Sequence, residues 1–118
     1  MEREIIAEEL NLALKQGNFI RAAGLGKELN LDPGKLKELE LKALWEMAAI
    51  NRNPTGTKQL AEEYGISPSE LKEFLKTQAE QLKKEGKDRA LRPQYDYHTG
   101  KYLDFSEWLE CLFKKWKS

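Results

Sequence analysis

The chain has 118 residues, of which 40% are hydrophobic and 34% are charged. This composition is too apolar for a disordered chain and too interrupted by charge for a membrane span, and the length leaves no room for a large catalytic fold. Twenty Lys and Arg residues balance twenty Asp and Glu residues, so net charge does not favour a polyanionic partner. We therefore expect a globular, soluble protein without a membrane partner.

The N-terminal sequence Met1-Glu2-Arg3-Glu4 lacks the basic flank and apolar run of a signal or transit peptide, which makes the cytoplasm the expected location. The spacing of apolar residues beyond it predicts three helices. Gly17 ends the first, and Asn18 and Asp32 are suited to cap the other two, although Gly24 and Gly26 weaken the second helix. The predicted ranges are 2–16, 19–29 and 33–50.

Turn-forming residues concentrate in 51–56, where we place the main internal boundary. A short helix is predicted over 57–64, with Gly65 as its end, and a longer one runs from Ser67-Pro68 to about Lys84. We expect three parts that pack as one compact domain: an N-terminal helical unit over 1–52, a second helical unit over 53–86, and a C-terminal part over 87–118.

The C-terminal part has a different character. Tyrosines flank a Thr-Gly turn within 95–103, which predicts a short β-hairpin or extended loop lying on the helices, because a lone two-stranded ribbon is unstable in water. Asp104 and Glu107 have the spacing of a capping box that opens a last helix. We expect its strongly apolar face to be buried against the helical body or across a homodimer contact. That face comprises Phe105, Trp108, Leu109, Leu112, Phe113 and Trp116.

Residues 57–76 resemble the helix-turn-helix of bacterial DNA-binding proteins. Ala61 is the small residue expected where the two helices cross, and Gly65 supplies the positive φ that the turn requires. Apolar residues occupy the positions that lock the helices together, namely Leu60, Tyr64, Ile66, Leu71 and Phe74. The sequence thus predicts an all-α protein, a helical bundle with one or two such units and a short C-terminal hairpin or extended loop before the last helix.

A second, weaker copy is predicted over 22–41. A shift of 35 residues lays 22–39 onto 57–74 with six identities in eighteen positions. Asn30 then stands where Gly65 stands, and asparagine is among the residues that best tolerate a left-handed conformation. The alternative explanation is chance, because helical sequences rich in Leu, Glu and Lys match one another easily.

The resemblance implies that the second helix of the unit enters the major groove of DNA and presents its exposed N-terminal residues to base edges. Glu70 and Glu73 oppose such binding unless one of them accepts from a cytosine amino group. The candidate contacts from this helix are Ser67, Ser69, Lys72 and Lys76. The first copy has the slightly more basic equivalents Asp32, Lys35, Lys37, Glu38 and Lys42.

Charge is distributed unevenly along the chain. Residues 1–82 carry a formal charge of −3 and residues 83–118 carry +3. Because phosphate neutralisation dominates non-specific DNA affinity, we expect the basic part to supply backbone contacts, although an ordinary solvated surface also explains so small a difference. The candidate backbone contacts are Lys83, Lys84, Lys87 and Arg89.

The leading hypothesis is a small double-stranded DNA-binding or DNA-associated protein, a transcriptional regulator or mobile-element accessory factor. The alternative is a protein-interaction module whose C-terminal aromatic helix binds a partner or a second copy. We expect no enzyme, metal or cofactor, because His98 lacks metal or catalytic spacing and Cys111 lacks an adjacent base. Stacking of the C-terminal aromatics on single-stranded bases is a further hypothesis, although their spacing is more typical of a core or interface.

Overall fold

The computed structural model describes residues 2–116. Within them lie six α-helices and one two-stranded hairpin, which confirms a mainly helical fold with a hairpin before the last helix. The helices are α1 (Glu2–Lys15), α2 (Phe19–Glu28), α3 (Pro33–Trp45), α4 (Pro54–Tyr64), α5 (Pro68–Lys84) and α6 (Phe105–Trp116); the strands are β1 (Gln94–Asp96) and β2 (Lys101–Leu103). The chain divides into two compact units, Met1–Asn51 (unit 1) and Arg52–Ser118 (unit 2).

Unit 1 contains α1, α2 and α3, with a core centred on Leu10, Ala13 and Ala22. Gly26 is buried in α2, and a Cβ atom there would lie 2.9 Å from Leu31 Cδ1 and 3.3 Å from a methyl of Leu39. A glycine that weakens the helix locally therefore makes room for the leucines that pack beside it.

The third helix departs from the prediction at its C-terminal end. Its α-helical part ends at Trp45, and Glu46–Ile50 form a π-helical turn that closes with a bond from Asn51 N–H to the Glu46 carbonyl at 2.9 Å. The Glu46 carboxylate also accepts from the backbone N–H of Phe19 at 2.9 Å. This tertiary bond ties the π turn to the start of α2.

In unit 2, α4 begins three residues earlier than predicted. The side chain of Asn53 accepts from the backbone N–H of Gly56 at 2.9 Å, and Pro54 occupies the first helical position. Because asparagine is a strong N-cap and proline fits the first turn, half of the segment predicted as a loop is helical.

The last helix opens with the predicted capping box. Asp104 Oδ1 accepts from Glu107 N–H at 2.8 Å, and Glu107 Oε1 accepts from Asp104 N–H at 3.1 Å. α6 packs against α5, β2 and the short 3₁₀ turn Arg89–Leu91. Its apolar face is buried as predicted at Phe105, Trp108, Leu109, Leu112 and Phe113, whereas Trp116 is only partly buried.

Candidate nucleic-acid interface

The turns that join α2 to α3 and α4 to α5 have the same backbone conformation. Gly65 has a φ of 71°, and Asn30 has the left-handed φ predicted for it, 54°. In the second turn Ile66 N–H donates to the Ala61 carbonyl at 2.9 Å and Gly65 N–H to the Glu62 carbonyl at 3.2 Å. The first turn has the same two bonds, each 35 residues earlier, at 3.1 Å. Both turns thus follow the Schellman pattern.

The match extends to the beginnings of the helices. Asn18 caps α2 by accepting from Arg21 N–H at 3.2 Å, as Asn53 caps α4. Asp32 caps α3 and Ser67 caps α5, each followed by proline at the first helical position. The first helix, the turn and the second helix of α2–α3 therefore each lie 35 residues before their equivalents in α4–α5.

The predicted contact residues of α5 lie beside α6. Ser69, Lys72 and Lys76 line a groove whose opposite wall includes Phe113. The Lys72 ammonium lies 5.9 Å from the centroid of the Phe113 ring, and this lysine is half-buried. Ser67 is exposed, and its hydroxyl accepts from Glu70 N–H at 3.2 Å as the helix cap.

The predicted backbone contacts lie at the other end of α5. Lys83 and Lys84 end the helix and Lys87 follows it, while Arg89 begins the 3₁₀ turn; all four are exposed. Ser69 and Lys83 are 14 residues apart in this helix, which corresponds to about 21 Å along its axis. The structure therefore separates the candidate residues into two groups along α5, one over 67–76 and one from Lys83 onward.

One exposed face of α5 is acidic. Glu70, Glu73 and Glu80 are all exposed, with Thr77 between them. Carboxylates at these positions repel the phosphates on either side of a major groove, which limits what α5 can contribute to DNA binding.

Arg52 organises the start of unit 2, and the sequence analysis missed this role. Its Nη2 donates to the carbonyls of Ala90 at 3.0 Å and Arg92 at 3.1 Å, and its Nη1 donates to the Leu103 carbonyl at 3.3 Å. Burial lowers the pKa of the guanidinium, and the charge of Asp104 acts in the opposite direction. No local sequence signal distinguishes this arginine from a loop residue, because all of these partners lie 38 or more residues away.

Three tyrosines form an exposed aromatic cluster on the hairpin. The ring centroid of Tyr95 lies 5.0 Å from that of Tyr97 and 5.4 Å from that of its cross-strand partner Tyr102. Tyr97 is 88% exposed and Tyr102 is 71% exposed. Since Phe105 and Trp108 are buried, these tyrosines are the most exposed of the aromatics considered for base stacking.

Residues 2–116 contain no group of three or more His, Cys, Asp or Glu side chains that could hold a metal ion. His98 is exposed and Cys111 is half-buried. Over the same residues, no helix combines the length and apolar character needed to cross a membrane. Comparison of the chain with protein-family models, curated proteins and solved structures finds no match.

Proposed function

We propose that this chain is a small DNA-binding or DNA-associated protein, a transcriptional regulator or mobile-element accessory factor that acts through helix-turn-helix units. The supporting observation is the pair of equivalent turns at Asn30 and Gly65, each followed by a capped helix. A helix presented in this way can place its N-terminal half in a major groove while the preceding helix crosses the backbone.

Electrostatics supports a contribution from the basic run after α5. Lys83, Lys84, Lys87 and Arg89 are exposed within one short segment, where each can neutralise a phosphate. Such contacts position the duplex without reading its sequence. They account for affinity, whereas base contacts from a helix account for specificity.

Fluorescence anisotropy with a random-sequence duplex at several salt concentrations tests the proposal. We expect submicromolar binding at low salt that weakens as salt increases, because bound phosphates release counterions. Lys83→Gln with Lys87→Gln should reduce the salt slope by about two units, at about one unit per lost phosphate contact. Lys15→Gln with Lys114→Gln removes the same charge from exposed positions in α1 and α6 and serves as the control. Absence of binding at low salt would refute the proposal.

The exposed tyrosine cluster favours a second candidate, a protein-interaction module. Tyrosines are enriched at protein interfaces, and Tyr97 and Tyr102, which both contact Tyr95, expose large aromatic surfaces. This module predicts no DNA binding together with a dimer in sedimentation equilibrium that Tyr97→Ser with Tyr102→Ser dissociates. A monomer at every concentration would argue against self-association through this surface.

A further inference from the structure

We infer that the DNA-contacting pair is α2–α3 of unit 1 and that α3, rather than α5, is the helix that enters the major groove. This inference rests on the proposed function and assigns the DNA contact to one of the two equivalent helix pairs, α2–α3 and α4–α5. It reverses the expectation from the sequence, which placed the base contacts on α5. Residues at equivalent positions of the two helix pairs, 35 residues apart, can be compared directly.

The exposed faces of α3 and α5 differ in charge. Lys35, Glu38 and Lys42 share one face of α3, since their spacings of three and four residues match the helical repeat. All three side chains are exposed. The residues 35 positions later on α5, also exposed, are Glu70, Glu73 and Thr77. The face is therefore net positive on α3 and net negative on α5.

The net charges of the whole helix pairs differ in the same direction. Residues 19–42 carry a formal charge of +1, and the equivalent residues 54–77 carry −1. Lys27 at the end of α2 and its equivalent in α4, Glu62, are both exposed and have opposite charges. Four positions differ in the opposite sense, since Lys58 and Lys76 have uncharged equivalents in unit 1, and Asp32 and Glu40 have uncharged equivalents in unit 2. The balance still favours unit 1 as the partner of a polyanion.

The one lysine that the two second helices share has a different environment in each. Lys37 is exposed on α3, whereas its equivalent Lys72 is half-buried with its ammonium over the Phe113 ring of α6. Lys42 also lies over a ring, 5.4 Å from the centroid of Phe19, but it remains exposed. α6 thus occupies the side of α5 on which Lys72 would contact DNA.

The first turn of α3 carries charges of both signs. Gly34 is exposed and has no side chain, where α5 has Ser69. Asp32 adds a negative charge at the cap of α3 that Ser67 does not add to α5. Its carboxylate accepts from Gly34 N–H at 3.1 Å, and Lys35 follows three residues later. The first turn of α3 therefore presents the Lys35 cation beside the Asp32 carboxylate, which covers the backbone of Gly34.

Two matched double variants test the inference by anisotropy with a random-sequence duplex. Lys35→Gln with Lys42→Gln removes two cations from α3, and Lys72→Gln with Lys76→Gln removes two from α5. We expect the α3 variant to reduce the salt slope by about two units and the affinity at least tenfold, whereas the α5 variant should leave the slope within half a unit of wild type. Circular dichroism controls for folding.

The opposite pattern, in which the α5 variant loses binding and the α3 variant retains it, would overturn the inference and leave the proposed function intact. Failure of the wild-type protein to bind the duplex would overturn both. If a variant fails to fold, backbone amide shifts of the wild-type protein provide a second test. Duplex addition should shift amides in 33–42 more than amides in 68–77, and the reverse order would overturn the inference.

Discussion

The guanidinium of Arg52 lies 5.3 Å from the centre of the Phe105 ring while it donates to the backbone carbonyls of Ala90, before the hairpin, and Leu103, at the end of β2. One side chain thereby connects the segment after α5, the end of β2 and the start of α6. A planar group with five donors suits this position, because it can stack on a ring and bond several carbonyls together.

Arg52→Lys should lower the free energy of unfolding by about 1 to 3 kcal/mol, since one ammonium cannot serve all of these carbonyls and at least one loses its donor. Urea unfolding followed by circular dichroism measures the change. Arg89→Lys, at an exposed arginine of the same unit, is the control and should stay within about 0.5 kcal/mol of wild type. Equal stability of the two variants would contradict the role given to Arg52.

Substitutions at Gly24 and Gly26 of α2 should change the free energy of unfolding in opposite directions. Gly24→Ala places a methyl group in open space and should stabilise the protein by about 0.5 to 1 kcal/mol, because glycine is entropically unfavourable inside a helix. Gly26→Val forces Leu31 and Leu39 to move and should destabilise it by about 1 to 3 kcal/mol. Urea unfolding distinguishes these signs, and a stabilising Gly26→Val would show that this crossing is not tightly packed.

Trp108 is 3% exposed on α6, and replacing it with alanine should destabilise the protein by about 3 to 5 kcal/mol. Glu110→Ala, at an exposed position of the same helix, is the matched control. Differential scanning calorimetry and sedimentation equilibrium are measured on both variants. A Trp108→Ala protein that melts within one or two degrees of wild type but no longer self-associates would assign this face to an interface instead.

The Asp96 carboxylate makes the stability of the hairpin turn depend on pH. Its Oδ2 accepts from the backbone N–H of Thr99 at 2.8 Å. Burial alone would raise the pKa of Asp96, but the Thr99 side-chain and backbone hydrogen bonds, with the charges of His98 and Lys115, outweigh it and hold the pKa below its ordinary value of 3.8. The carboxylate therefore contributes to stability above the pKa of the unfolded chain, and this contribution is lost as pH falls through the folded pKa.

An NMR titration of the Thr99 amide should consequently show a midpoint below 3.8, the ordinary pKa of an aspartate. Asp96→Asn should abolish that transition while leaving signals from unit 1 unchanged. A midpoint at or above the ordinary value would show that the hydrogen bond does not favour the ionised carboxylate.

The features predicted correctly from the sequence depend on residues a few positions apart. The Asp104–Glu107 capping box and the left-handed Asn30 belong to this group, because a cap or turn is specified by side chains that reach their own backbone. The start of α4 also depends on neighbouring residues. Asn53 and Pro54 carried the capping signal, but the surrounding turn formers outweighed it in the prediction.

By itself, the sequence determined the helical class, the helix caps and the 35-residue repeat of the two turns, since short-range hydrogen bonds and periodic burial decide all three. Only the tertiary structure decided which lysines stay accessible on those helices. Lys37 and Lys72 occupy equivalent positions, yet Lys72 is half-buried over Phe113, which lies 41 residues further along the chain. A contact over that separation depends on how α6 packs, and local propensity carries no information about it.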